Sequence, residues 1–166
     1  MAVNAQAQKR PKSLIADAPT EGRQAIKSAQ TRSRLVEATI RCLIKYGFAK
    51  TSTPKVAEEA DLSRGAMLHH FESGRELMQA TLMELHQKRL RAFRRSADMH
   101  NHSPSTLVNA YWKQLLRPTF IAFQELAVAA RTDAELAAIL EPINEESQRR
   151  WNEMAVELFP GWASDK

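Results

Sequence analysis

The sequence predicts an all-α chain. Apolar residues recur at three- and four-residue spacings from about residue 30 onward, and no stretch alternates polar and apolar residues long enough to make a strand. Residues 51–71, TSTPKVAEEADLSRGAMLHHF, hold two short helical patterns separated by a tight turn. Helices that short are unstable alone, so both must lean on a neighbour.

Residues 1–28 mix Ala, Gln, Lys, Pro and Ser without periodicity, which predicts a disordered basic tail. Lys9, Arg10, Lys12, Arg23 and Lys27 leave two readings open there, a plain loose terminus or an arm touching phosphates or a minor groove. From about Gln30 to Tyr46, the residues Leu35, Val36, Ile40, Leu43 and Ile44 fall on one helical face. Gly47 is the expected stop, because glycine takes the left-handed conformation that ends helices, and Phe48 closes the small core.

The next helix opens at Ser52 or Thr53, with Pro54 in a first turn that tolerates a missing N–H. Val56, Ala57 and Ala60 form its apolar face, Asp61 makes the turn, and Leu62 anchors it. Ser63 is the expected cap of a second helix from about Arg64 to His70. These are the dimensions of a helix-turn-helix, whose second helix enters the DNA major groove. On that helix Arg64 stands where base edges are met, Gly65 permits close backbone approach, and Ala66 suits a thymine methyl. Met67 and Phe71 are expected in the core. His69 and His70 are donors to phosphate or base; as sequence neighbours they point in different directions, which argues against a shared metal. Ser52, Thr53 and Lys55 at the first helix start, with Ser73, Arg75 and Arg32, complete the expected phosphate contacts.

The run from Arg32 to Leu77, RSRLVEATIRCLIKYGFAKTSTPKVAEEADLSRGAMLHHFESGREL, resembles the DNA-binding domain of the TetR family of bacterial transcriptional regulators. The matching residues include Leu35, Val36, Ala38, Gly47-Phe48, Thr51-Ser52, Val56-Ala57, Ala60, Leu62-Ser63, Gly65, His70-Phe71, Ser73 and Glu76-Leu77. Three positions depart from the family pattern. Asp61 replaces the usual Gly, a change the turn tolerates because Asp enters the left-handed region more easily than most residues. Leu68 and Gly74 replace a Tyr and a Lys that commonly touch phosphates, with His69 and Arg75 one residue further on.

The fourth helix is expected from Ser73 to about Ser96, ending in the basic run KRLRAFRR, read as a solvated face. Asp98 to Pro104, DMHNHSP, reads as a loop, and His100 and His102 lack partners for a metal. Leu107, Val108, Tyr111, Trp112, Leu115 and Leu116 then mark one helix, and Phe120, Ile121, Phe123, Leu126 and Ala127 another. Thr132 with Glu135 has capping-box spacing before a last helix carrying Leu136, Ile139, Leu140, Ile143, Trp151, Met154 and Leu158, which Pro142 is expected to kink or split.

The resulting organisation is a tail over 1–28, an N-terminal three-helix helix-turn-helix domain over 29–76, and a helical ligand-binding and dimerisation domain over 77–166. The resemblance assigns the last part to effector sensing, and Tyr111, Trp112, Phe120, Phe123, Trp151 and Met154 are the candidate ligand-lining residues, with core packing as their ordinary alternative. Glu125, Arg131 and Asn144 are polar candidates beside them. The family usually adds two further helices that form most of the dimer interface, so an end at FPGWASDK implies weakened dimerisation.

Charge follows the same division. Residues 1–100 carry 18 Lys and Arg against 10 Asp and Glu, and residues 101–166 carry 6 against 9, which suits a nucleic-acid-binding part joined to one that is not. The chain is long enough to bury a core without a metal or disulfide, and its single Cys42 reads as core. No apolar run reaches membrane-spanning length and no signal-peptide stretch opens the chain, so the expected address is the cytoplasm with no membrane partner. No nucleophile elbow, phosphate-binding glycine loop or metal-spaced His/Cys cluster is present, which argues against an enzyme and against a cofactor. The function expected from the resemblance is a repressor released from palindromic double-stranded DNA by a small-molecule effector, working as a homodimer. The alternative is a helical small-molecule-binding or protein-interaction module without specific DNA binding.

Overall fold

A computed structural model describes residues 20–98 and 104–158. The expected arm residues Lys9, Arg10 and Lys12, the loop histidines His100 and His102, and the final FPGWASDK lie outside the described residues. Among the described residues every regular element is helical: α1 (Thr20–Tyr46), a 3-10 turn (Phe48–Lys50), α2 (Thr53–Glu59), α3 (Arg64–Leu68), α4 (Gly74–Asp98), α5 (Pro104–Leu115), α6 (Pro118–Ala129) and α7 (Ala134–Leu158).

α1 is 27 residues, about 40 Å long at 1.5 Å per residue. It begins about ten residues before the expected start, so residues 20–28 are helix rather than tail. The reason lies in what they face: residues 22–27 are exposed, and a helix turned wholly to solvent leaves no apolar period to read. Downstream, Leu35, Ala38, Thr39, Ile40, Cys42 and Leu43 are buried. Burial is also the leading cause that raises the Cys42 thiol pKa, in keeping with a core role.

α1 stops at Gly47, whose φ of 75° and ψ of 171° lie in a region essentially restricted to glycine. This differs from the left-handed helix cap expected there. A contact from the second half of the chain explains the extended form: Glu125 on α6 accepts a hydrogen bond from the Phe48 amide at 3.0 Å. A Cβ on Gly47 would stand 2.9 Å from the same carboxylate.

One apolar core runs from the small helices into the large ones. It joins Leu35 and Leu43 of α1, Val56 of α2, Met67 of α3 and Leu77, Leu82 and Leu85 of α4 to Leu126 of α6 and Leu136 and Leu140 of α7. A smaller cluster, Met154 and Leu158 with Leu90, Phe93 and Trp151, closes the far end. α7 runs unbroken through Pro142. Its N-terminus is capped by Asp133, which accepts from the Leu136 amide at 2.9 Å, one residue beyond the expected Thr132. Thr132 instead donates to the Ala129 carbonyl at 3.4 Å.

His86 ties α4 to α7, with Nε2 2.9 Å from Asn144 Oδ1 and Nδ1 2.8 Å from the Ser147 hydroxyl. Because Oδ1 only accepts, the ring proton sits on Nε2. Burial pushes the imidazole pKa below its ordinary value, against the opposing effect of the Asn144 bond.

Two outcomes follow. Gly47→Ala should cost about 1–3 kcal/mol in urea unfolding, whereas Gly22→Ala, where nothing lies within 4 Å, should not destabilise. The folded state favours neutral His86, so its contribution is complete above the unfolded imidazole pKa and is lost as pH falls through that value towards the lower folded one. The urea midpoint should therefore drop more between pH 7 and 5 in the wild type than in His86→Gln.

Candidate nucleic-acid interface

The two helices of the motif meet at Asp61, whose φ of 53° supplies the left-handed turn. Leu62 closes it by donating its amide to the Ala57 carbonyl at 2.9 Å. Ser63 caps α3, its hydroxyl accepting from the Ala66 amide at 3.0 Å. α3 has only five helical residues, ending at Leu68 rather than His70. Met67 and Phe71 are both 1% exposed and pin this short helix to the core.

That burial decides which side chains face outward. Ser63, Arg64, Gly65, Leu68 and His69 are exposed, Ala66 and His70 half-buried. Among the described residues Arg64 has no hydrogen-bond or ion-pair partner, so its guanidinium is free for an external acceptor. A Cβ built on Gly65 would meet only Ser63 Oγ, at 3.9 Å. Nothing inside the chain requires glycine there; the open side is the outer one. Leu68 is 46% exposed on this face, where its side chain offers apolar surface to a thymine methyl; the sequence marks it only as a replacement for the usual Tyr and not by its direction.

The expected phosphate residues fall into two groups. Ser52, Thr53 and Ser73 come together, since the start of α2 lies against the start of α4 and Thr53 Cγ2 is 3.2 Å from a Cβ built on Gly74. Ser52 precedes α2 without a side-chain cap bond, leaving its hydroxyl outward. Ser73 accepts from the Glu76 amide at 3.1 Å. Lys55 lies over the Tyr46 ring at 4.3 Å, and Lys45 flanks the same ring at 4.9 Å.

Arg32 and Arg75 are engaged inside the molecule. Arg32 lies 4.0 Å from the Phe71 ring centroid, pairs with Glu76 at 3.0 Å and donates to the His70 carbonyl, so it clamps the back of the motif. The Glu72 amide first, and Arg32 second, hold the Glu76 carboxyl pKa below its ordinary value. Arg75 pairs with Glu135 on α7, linking the motif to the second half. His70 is also held, its Nδ1 3.5 Å from the Ser28 hydroxyl on α1.

The candidate ligand residues do not gather around one cavity. Tyr111, Trp151 and Phe93 form one aromatic group, with Tyr111 and Trp151 centroids 6.2 Å apart, and Met154 is buried beside Trp151. Phe120 and Phe123, 6.1 Å apart, pack instead with Arg89. Trp112 is 60% exposed. A separate groove of about 280 Å³ between α4 and α7 is lined by Met83, His86, Leu90, Pro142, Ile143 and Arg150 among others. Among the described residues no three His, Cys, Asp or Glu side chains could hold a metal, and no helix is long and apolar enough to cross a membrane.

Two helices set across a left-handed turn, the second buried on one side and presenting an unpartnered arginine on the other, define a helix-turn-helix protein. Residues 35–81 match the family described as bacterial regulatory proteins, tetR family. Curated relatives and solved structures agree with that match, so residues 35–81 resemble the DNA-binding part of TetR-family regulators. The chain is 35% identical over 103 residues to the HTH-type transcriptional regulator TtgR of Pseudomonas putida, covering 62% of this chain and 46% of the relative. It is 29% identical over 107 residues to the "Probable acrEF/envCD operon repressor" of Escherichia coli K12, covering 64% and 46%. A crystal structure of a transcriptional regulator from Rhodococcus sp. Rha1 superposes with a TM-score of 0.57 at 26% identity, over 68% of this chain and 62% of that one. The chain thus spans a little under half the length of these two curated relatives.

Gly65→Ala separates fold from interface. Its thermal midpoint should hold or rise, because alanine is the better helix former by up to about 1 kcal/mol. DNA affinity should fall by about tenfold, about 1.4 kcal/mol, as the methyl enters the contact. Unchanged affinity would place this face away from the groove.

Proposed function

We propose that the chain is a DNA-binding transcriptional regulator, a repressor released from a palindromic operator by a small-molecule effector. The single observation that carries the DNA part is α3 itself, with Met67 and Phe71 sunk in the core and Arg64, Gly65, Leu68 and His69 facing outward. Arg64 reads a guanine through its two acceptors, Leu68 and Ala66 meet thymine methyls, and Ser52, Thr53, Lys55 and Ser73 hold phosphates on either side. His69 and His70 add donors, while Arg32 and Arg75 position the motif from behind. The TtgR and acrEF/envCD relatives support regulation and repression as the output.

The division of labour follows. Residues 29–76 read DNA and residues 77–166 bind the effector, with two separate aromatic groups as candidate walls, Phe120 with Phe123 and Tyr111 with Trp151, the latter beside Met154. Trp112 lies on an outer face and would reach a ligand only from outside the helical core. Effector and DNA communicate through two contacts: Glu125 on the Phe48 amide at 3.0 Å, and the Arg75–Glu135 pair. A homodimer in the cytoplasm places two copies of α3 one helical turn of DNA apart, about 34–36 Å.

Fluorescence anisotropy on a random-sequence duplex pool, at two salt concentrations with the bound fraction recovered and sequenced, tests this reading. A palindrome should emerge, affinity should fall with salt, and Arg64→Ala should cost about 1–3 kcal/mol and relax one position in each half-site. Weak, sequence-blind binding in both proteins would overturn it and leave a helical ligand-binding or interaction module.

A further inference from the structure

The basic run 88–95 does not behave as a uniform solvated face. Lys88 pairs with Glu37 at 2.8 Å, Arg91 with Glu84 at 2.7 Å, and Arg94 with Glu157. Arg89 and Arg95 are left without a carboxylate among the described residues. Both line a cleft of about 350 Å³ where α4 meets the turn between α5 and α6. Arg117 and Thr119, at the start of α6, supply the opposite wall, and no acidic residue lines it. Arg117 also has no carboxylate partner among the described residues.

Arg89 is the informative member. Its guanidinium carbon lies 4.7 Å from the Phe123 ring centroid and 5.5 Å from that of Phe120. Burial is the leading cause that lowers its pKa, partly opposed by Tyr111, so the fold holds this cation at a cost that an anion would relieve. Fifteen residues of α4 separate it from Gly74, about 22 Å along the helix axis, which puts it beyond reach of phosphates gripped by the motif.

We propose that this cleft is an anion-binding site, taking the carboxylate or phosphate of a small organic anion between Arg89, Arg95 and Arg117. Its volume suits a small molecule, and planar guanidinium groups from α4 and from the N-cap of α6 match oxyanion geometry. The proposal deepens the effector reading above and rests on it, since it names the chemical class of the effector.

Isothermal titration calorimetry at one fixed ionic strength, with citrate and inorganic pyrophosphate as probes and tetraethylammonium as the cationic control, provides the test. Saturable binding of one or both anions is expected, citrate reporting a carboxylate preference and pyrophosphate a phosphate one. The exposed double variant Arg95→Gln/Arg117→Gln, with its fold checked by circular dichroism, should weaken binding at least tenfold, while Arg64→Ala should leave it unchanged. No saturable heat from either anion overturns the site. So does loss of binding in Arg64→Ala instead of the double variant, which would place the anion on the DNA face. Sequence-specific DNA binding with no anion binding removes this inference alone; anion binding that leaves DNA affinity unchanged keeps the site and removes effector-driven release.

Discussion

A five-residue helix has no stability of its own, so everything this molecule does with α3 depends on how that helix is held. Two forces hold it, and their sizes differ. Burying Met67 and Phe71 is worth about 1.5–3 kcal/mol each. The Arg32–Glu76 pair, with side chains 42% and 36% exposed, is worth at most about 1 kcal/mol after solvent screening. The apolar anchors therefore keep α3 in place. Arg32 sets its attitude, because a planar guanidinium stacked on Phe71 and bonded to the His70 carbonyl admits few orientations.

The same logic extends across the joint between the two halves. Apolar burial is continuous from Leu43 through Leu85 to Leu126, so the halves share one core rather than touching at a hinge. Directional contacts then fix register at the edge of that core. Glu125 grips the backbone just past α1, and Gly47 is extended with positive φ to let the carboxylate in. A shift of α6 along its axis would move the point at which α1 ends. This gives a physical route by which events among the large helices reach the small ones.

How much of this was legible in the sequence depended on chain distance. The Ser63 cap, the Asp61 turn and the burial of Met67 and Phe71 follow from neighbours three or four residues away, and each appears as expected. The first turns of α1 were hidden because a fully solvated helix has no apolar period. Thr132 and Asp133 are both good caps, and spacing alone chose the wrong one. Arg32 and Arg75 are legible as basic residues beside the motif, but their ion pairs are not, because Glu76 and Glu135 lie 44 and 60 residues further on. The aromatic residues of the second half had the right type for a pocket but no sequence mark of direction, and so Trp112 stands on the surface while Trp151 packs inward.

Basic residues make the last distinction, since a sequence counts charges without saying which are already spent. Arg41 is spent on Glu59, Arg75 on Glu135, Arg94 on Glu157, and Arg149 and Arg150 on Glu146. These exposed pairs add little stability, but they neutralise surface that would otherwise attract any anion. Arg64 stands apart on the motif, and Arg89, Arg95 and Arg117 stand apart around one cleft a helix-length away. Among the described cations that pairing leaves without a carboxylate, these stand in two differently shaped settings, one a protruding helix and the other a concave wall. On the reading proposed above, the convex one meets a groove and the concave one a small molecule.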